Sequence, residues 1–244
     1  MGKLQDKVAI VTGGASGIGE AIVRLFAKEG AQVICVDLNA ENGQALEKDL
    51  ANDTQICFKQ GDVADPERVA EIFEETINEF GRVDILINNA GVNTYMPSED
   101  RPYDDFKWTT DINLNSVFLW SQHAIRDMLA KDGGVIVNTA SMNGIRSVGG
   151  NAAYDASKAG VIHLTESMAQ EYAARGIRIN AVSPGFVDTP MVPEGTIEAV
   201  APTIPMRRAG EADEIAKPVL FLCTDESSYI TGHNLVIDGG FTTQ

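Results

Sequence analysis

Seven short runs rich in Val, Ile and other apolar residues recur along the chain. Each is separated from the next by a longer stretch, several with helical spacing, and this alternation constrains the fold more than any other feature. The runs are Val8-Ala9-Ile10-Val11, Gln32-Val33-Ile34-Cys35-Val36, Gln55-Ile56-Cys57-Phe58, Val83-Asp84-Ile85-Leu86-Ile87, Val135-Ile136-Val137-Asn138, Ile177-Arg178-Ile179-Asn180-Ala181-Val182 and Asn234-Leu235-Val236-Ile237. Most are continuously apolar, which marks strands covered on both faces of a parallel sheet. Between them, Ile18, Ile22, Leu25 and Phe26 share one helical face, with Gly30 as a C-cap. Asp65-Pro66 supplies an N-cap and a first-turn proline for a helix whose stripe is Val69, Ile72, Phe73 and Ile77. A long helix is expected over about 103–131 and another over about 151–175. These units predict an α/β fold, a doubly wound parallel sheet of about seven strands with helices on both faces. No repeat, low-complexity tract or linker divides residues 1–244, so one domain is expected.

Composition narrows the function classes. With 44% hydrophobic and 22% charged residues the chain is neither disordered nor collagenous. Its formal charge of −16 repels phosphate backbones and anionic lipid, so nucleic-acid and membrane-surface binding are disfavoured. Cys35, Cys57 and Cys223 lie far apart in apolar surroundings and read as small buried hydrophobes, not as a disulfide framework or metal ligands. The first residues lack the apolar core of a signal peptide, and no apolar run has bilayer length, which predicts a soluble, cytoplasmic protein.

The first apolar run leads directly into Thr12-Gly13-Gly14-Ala15-Ser16-Gly17-Ile18-Gly19 and then a helix. Glycines in such a turn let backbone approach a pyrophosphate, which the helix N-terminus stabilises. The spacing is Gly-x-x-x-Gly-x-Gly, and its position between strand and helix is what gives it weight. Asp37 ends the second run, eighteen residues after Gly19, where a carboxylate can accept hydrogen bonds from ribose hydroxyls. Ala15, Ser16, Leu38 and Asn39 offer no cation for a 2′-phosphate, so NAD is favoured over NADP.

Tyr154 and Lys158 stand four residues apart in Tyr154-Asp155-Ala156-Ser157-Lys158, which puts both on one helical face. A phenol titrates near about 10, and a neighbouring ammonium favours its phenolate. Taken alone, such a pair is equally at home on an ordinary surface helix.

Together with Asp62-Val63, Asn88-Asn89-Ala90-Gly91, Asn113, Ser141 thirteen residues before Tyr154, and Pro184-Gly185, these motifs resemble the short-chain dehydrogenase/reductase family over nearly the whole chain. The resemblance implies a Rossmann-like fold and an oxidoreductase. In it Tyr154 exchanges a proton with the substrate oxygen, and Lys158 lowers the phenol pKa and holds the nicotinamide ribose. Ser141 orients the substrate oxygen, while Asn113 holds a water linking Lys158 to solvent. It also implies cofactor contacts at Gly13, Ser16, Gly17, Ile18 and Gly19, at Asp37, at Asp62 and Val63 by the adenine, at Asn89 by the adenosine ribose, at Gly91, and at Val187 and Thr189 by the carboxamide. Where many relatives carry two serines, this chain has Ala140-Ser141, which leaves Ser141 alone in that role.

The stretch from Pro190 to Arg208 follows no family pattern. Its place in relatives, and its Pro193, Gly195, Pro202 and Pro205, imply a substrate lid at about 190–208. His123, His163 and His233 have no ligand-spaced partners, so no metal is expected. Asn143 and Arg146 lie on the loop after Ser141 and are as well suited to a polar or anionic substrate as to solvent; Arg207-Arg208 suit support of the lid or a subunit contact. Three functions compete: an NAD-dependent enzyme interconverting a secondary alcohol and a ketone, a 3-oxoacyl thioester reductase, and a nucleotide-sensing module without catalysis. The apolar residues around the two long helices, with the resemblance, imply a homotetramer.

Overall fold

The computed structural model describes residues 2–51, 56–131 and 133–244. Seven strands, β1 (Val8–Thr12), β2 (Gln32–Asp37), β3 (Ile56–Gln60), β4 (Ile85–Asn88), β5 (Gly134–Thr139), β6 (Ile177–Pro184) and β7 (Asn234–Ile237), form one sheet in the order β3-β2-β1-β4-β5-β6-β7. Every pairing is parallel. The expected doubly wound sheet is therefore present. Gln55, placed in the third apolar run, lies outside the described residues.

Successive β1 residues divide between the two faces even though all are apolar. Ala9 and Val11 join a core with Ile22, Phe26, Val219 and Leu222, whereas Val8 and Ile10 join one with Phe73, Trp120, Met128 and Met168. The first layer holds helices α1 (Gly17–Lys28), α2 (Ala40–Leu50) and, further along, α8 (Ala212–Cys223). The second is built mainly from α3 (Pro66–Phe80), α5 (Ser116–Ala130) and α6 (Ala152–Tyr172). Two cores against one sheet are what continuously apolar strands require.

Asp65 caps α3 as expected, accepting from the amides of Glu67 and Arg68. The single helix expected over about 103–131 is instead α4 (Tyr103–Thr110), a π-helical turn at Asp111–Asn115, and α5. The wider turn shifts the helical register and seats Asn113 in the interior, fully buried. The helix expected to reach residue 175 ends as α6 at Tyr172, followed by a tighter turn at Ala173–Arg175 and by Gly176 in the left-handed region. Helices α2 and α8 are additional to the expectation; Pro218 lies inside α8, where periodicity alone argues against a helix. A short helix, α7 (Thr196–Val200), lies within the 190–208 stretch. Among the described residues no helix is long and apolar enough to cross a membrane.

Candidate active site

Strand order reverses between β1 and β4, and the carboxyl ends of these neighbours open a crevice of the kind that receives ligands in doubly wound sheets. A cavity of about 390 Å³ lies there, running from the glycine loop past Asp37 to Ser141, Tyr154 and the residues after β6.

At the loop, Gly13 has φ +61°, and a Cβ added at Gly19 would lie 1.9 Å from the Gly13 carbonyl oxygen. Only hydrogen side chains let the backbone close this tightly, so the loop forms a shallow cradle at the start of α1. Ser16, the N-cap, makes no side-chain capping bond, which leaves first-turn amides of α1 facing the cradle. The side-chain amide of Asn89 donates to the carbonyls of Thr12 (3.2 Å) and Gly13 (3.1 Å), tying the loop to the end of β4.

Asp37 stands where β2 ends. Its carboxylate accepts from the amides of Ala15 (3.0 Å) and Asn39 (2.9 Å), which fix its orientation between the glycine loop and α2. Leu38, Asp62 and Val63 flank it on the cavity wall. Among the described residues that line the cavity, Lys158 is the only cation. The donor set and the cradle thus fit the pyrophosphate and ribose of a nicotinamide dinucleotide. Such a group would rest on Gly13, Ser16, Gly17, Ile18 and Gly19, with Asp37 at the adenosine ribose.

The reacting end is assembled from three segments. Ser141, just past β5, is extended and accepts from the amide of Asn143 (3.1 Å). The first turns of α6 supply Tyr154 and Lys158, with the lysine Nζ 5.7 Å from the tyrosine ring centroid. Lys158 is almost fully buried and donates to the carbonyl of Thr139 at 2.8 Å. The π turn supplies Asn113, whose amide exchanges two bonds with the main chain of Val92 (2.8 and 2.9 Å) and donates to Ser157 Oγ (3.2 Å). A Cβ on Gly91 would come within 3.4 Å of both Asn113 Oδ1 and Lys158 Nζ, so these side chains meet over that glycine.

Burial pushes both titrating groups toward neutrality. The Lys158 ammonium is brought down to about 8 by desolvation. The Tyr154 phenol is moved upward, chiefly by its own burial; a hydrogen bond from Ser141 pulls the other way, and Tyr95 and Asp155 add to the rise. This direction corrects the depression expected from the Tyr-x-x-x-Lys spacing, because removal of the phenolate from water is the largest influence on the group.

Of the predicted residues, Gly13, Ser16, Gly17, Ile18, Asp37, Asp62, Val63, Asn89, Gly91, Ser141, Tyr154, Lys158, Val187 and Thr189 all line this one cavity. Gly19 and Asn113 lie behind its wall. Arg146 is not brought there: it donates to the carbonyl of Gln244 at 2.7 Å. Arg208 forms a two-pronged pair with Glu214 (2.6 and 2.7 Å), and Arg207 bonds the carbonyl of Pro202, so both brace the 190–208 stretch. Among the histidines, His123 stacks on Phe73, and His163 faces Glu166 on the surface.

Sequence reasoning missed the wall residues Asn93, Tyr95, Met142 and Phe186. These residues carry no spacing signal; only their succession to Gly91, Ser141 and Gly185 places them near the site. It also missed Gly144, where an added Cβ would sit 2.7–2.8 Å from the main chain of Lys158 and Ala159.

Comparison with known proteins agrees with this geometry. A family model described as enoyl-(acyl carrier protein) reductase matches residues 13–242. A 3-oxoacyl-(acyl-carrier-protein) reductase of Thermotoga maritima is 40% identical over 246 residues, covering 98% of each chain. A 3alpha-hydroxysteroid dehydrogenase of Mediterraneibacter gnavus is 42% identical over 242 residues, covering 97% of each. The crystal structure of a short-chain type dehydrogenase/reductase from Mycobacterium marinum superposes with a TM-score of 0.96 at 35% identity, over 99% of this chain and 98% of that one. With its motifs, its seven-stranded parallel sheet and these similarities in agreement, the chain belongs to the short-chain dehydrogenase/reductase family of nicotinamide-dependent oxidoreductases.

Proposed function

We propose that this enzyme interconverts a secondary alcohol and a ketone with NAD in preference to NADP. The observation that carries the reading is the meeting of Ser141, Tyr154 and Lys158 in one cavity whose far end holds an oriented, cation-free Asp37. The bound dinucleotide supplies the hydride acceptor or donor. In the reducing direction Ser141 holds the carbonyl oxygen by a hydrogen bond, and the neutral Tyr154 phenol gives that oxygen its proton as hydride reaches the carbonyl carbon; oxidation reverses both, the hydroxyl proton passing to the Tyr154 phenolate. Lys158 would hold the nicotinamide ribose, with Val187 and Thr189 at the carboxamide; all three line the cavity. Asn113 would hold the water that links Lys158 to solvent; its side-chain amide is bonded to Val92 and Ser157.

The second reading, reduction of a 3-oxoacyl thioester, is favoured by the Thermotoga maritima relative. The carboxylate at Asp37 counts against it, since carrier-protein reductases generally use NADPH. A nucleotide-sensing module without catalysis is disfavoured by the intact Asn113, Ser141, Tyr154 and Lys158 set. The 190–208 stretch serves as the substrate lid in this reading, with Pro190, Met191 and Val192 on the cavity wall. The enzyme is further proposed to be cytoplasmic and a homotetramer, a state supported by exposed Tyr103, Trp108 and Phe118 on α4 and α5.

A panel of secondary alcohols and ketones, assayed by nicotinamide absorbance with each of the four cofactor forms, tests the proposal. Turnover of a secondary alcohol with NAD⁺ supports it. Binding of NAD without turnover of any member, or use of NADPH as readily as NADH, overturns it.

A further inference from the structure

Segment 92–101 forms the cavity wall opposite α6 and contributes Asn93 and Tyr95. Tyr95 has no side-chain hydrogen bond among the described residues, so its main chain sets where it stands. That main chain is held from three directions besides the Met96 amide, which donates to the carbonyl of Gly150 (2.9 Å). Asn113 bonds both the amide and the carbonyl of Val92. Asn151, buried and with its amide turned to satisfy its neighbours, donates to Asn93 Oδ1 (3.2 Å) and to the carbonyls of Thr94 (3.3 Å) and Gly150 (3.1 Å). The third hold is Arg101, whose side chain is only 4% exposed. Its guanidinium donates to the Thr94 carbonyl (2.6 Å), the Thr94 hydroxyl (2.9 Å) and the Met96 carbonyl (3.4 Å), and pairs with Asp105 on α4.

Arg101 thus straddles Tyr95, gripping the residue on each side of it. A buried ion pair is weak evidence for stability, because desolvation offsets much of the attraction. This one also leaves its Nε buried without a partner. An exposed arginine in a loop avoids both costs, whereas a planar fork that fixes two carbonyls and a carboxylate gives geometry that no apolar side chain reproduces. Tyr95 is also near enough to Tyr154 to influence its ionisation.

We propose that Arg101 is a positioning residue acting through Tyr95: its clamp on Thr94 and Met96 fixes how far Tyr95 stands from Tyr154, and so which carbinol shapes the cavity accepts. The inference rests on the oxidoreductase reading of this same cavity.

Arg101→Gln, which cannot span both carbonyls, is the test, with saturating NAD⁺ and with cyclohexanol and a hydroxysteroid as probes. Hydrogen–deuterium exchange at Val92 to Met96 accelerates about tenfold or more while α6 is unchanged. KM for at least one probe rises about tenfold, while kcat and the Kd for NAD⁺ stay within about twofold. In a Tyr95→Ala background the same substitution changes KM by less than about twofold, because its route of action is gone. Unchanged exchange, additive loss on Tyr95→Ala, or a parallel fall in kcat and NAD⁺ affinity overturns the proposal. If Arg101→Gln does not fold, Asp105→Asn, which keeps the shapes and removes the charge pair, is put through the same measurements. If the wild type turns over neither probe, that result counts against the secondary-alcohol reading; the clamp is then judged on exchange and on the crystal structure of the variant, in which an undisplaced Tyr95 overturns it.

Discussion

The two ends of the cavity are built on different terms. At the end proposed for the dinucleotide, the wall is main-chain amides and glycines at the ends of β1 and β2, and side chains such as Asn89 and Asp37 brace the loop over short distances. At the other end, the wall is a set of ordinary side chains on loops after β4, β5 and β6, the first of these loops being held by Arg101 just before α4, by the π turn and by the loop before α6. The first end recognises a ligand part common to many enzymes and is fixed by backbone geometry. The second is free to vary in side chain, provided its anchors stay, which is how one fold serves many substrates.

The strongest way to test this division is at its boundary. Tyr154→Phe keeps the ring but removes the proton-transferring oxygen, so kcat should fall about 10³-fold with NAD⁺ affinity nearly unchanged. Steady-state kinetics and a binding titration check this, and retention of a tenth of wild-type kcat rejects Tyr154 as the acid/base. At the dinucleotide end, NAD should be preferred over NADP by about a hundredfold in kcat/KM, because a 2′-phosphate meets the Asp37 carboxylate and loses a charge-assisted bond. Asp37→Ala should reduce that ratio to below about tenfold, and adding Leu38→Arg should bring it lower by supplying the missing cation. Equal use of both cofactors by the wild type breaks the comparison at this end.

Lys158 belongs to both ends, and its burial carries a pH signature. A lysine whose folded value lies near 8, below its ordinary 10.5, binds fewer protons folded than unfolded between those values. Stability therefore rises with pH through that window and is flat with respect to this group outside it. Relative to Lys158→Met, the nucleotide-free wild type should gain on the order of 3 kcal/mol between about pH 8 and 10.5. Denaturant melts across that range measure it, and parallel curves for the two proteins contradict the assignment. The smallest effect is at Ser141. Its hydrogen bond is the one influence pulling the Tyr154 phenol down, so Ser141→Ala should move the rising, acidic limb of the alcohol-oxidation profile to higher pH as well as slow turnover. A slowed enzyme with an unmoved limb separates the two roles.

The same division accounts for what could be read from the sequence. The sheet was legible because short, continuously apolar runs between helical stretches suit strands covered on both faces, and the glycine loop and Asp37 because their chemistry is tied to strand and helix ends. Ser141, Tyr154 and Lys158 were legible through the resemblance to the family, whose pattern sets their mutual spacing. Arg146, one of two loop residues offered for a polar substrate, faces Gln244 instead, since loop direction is decided by partners far along the chain. The π turn at Asp111–Asn115 left no periodicity to mark it, because one widened turn barely disturbs a helical stripe. The direction of the Tyr154 shift was also hidden: spacing reports the neighbouring ammonium but not how much water is lost. Arg101 had one faint signal, a single cation in the acidic stretch from Glu99 to Asp105, with Asp105 one helical turn away.

Gly144 sets a rule for anyone who would redesign this enzyme. Because its main chain lies against Lys158 and Ala159 with no room for a methyl group, any side chain there pushes on the helix that carries Tyr154 and Lys158. A combinatorial library that randomises the whole loop after Ser141 would therefore consist largely of inactive members, whatever their affinity for a new substrate. Libraries that hold Gly144 constant remove that push on the catalytic helix.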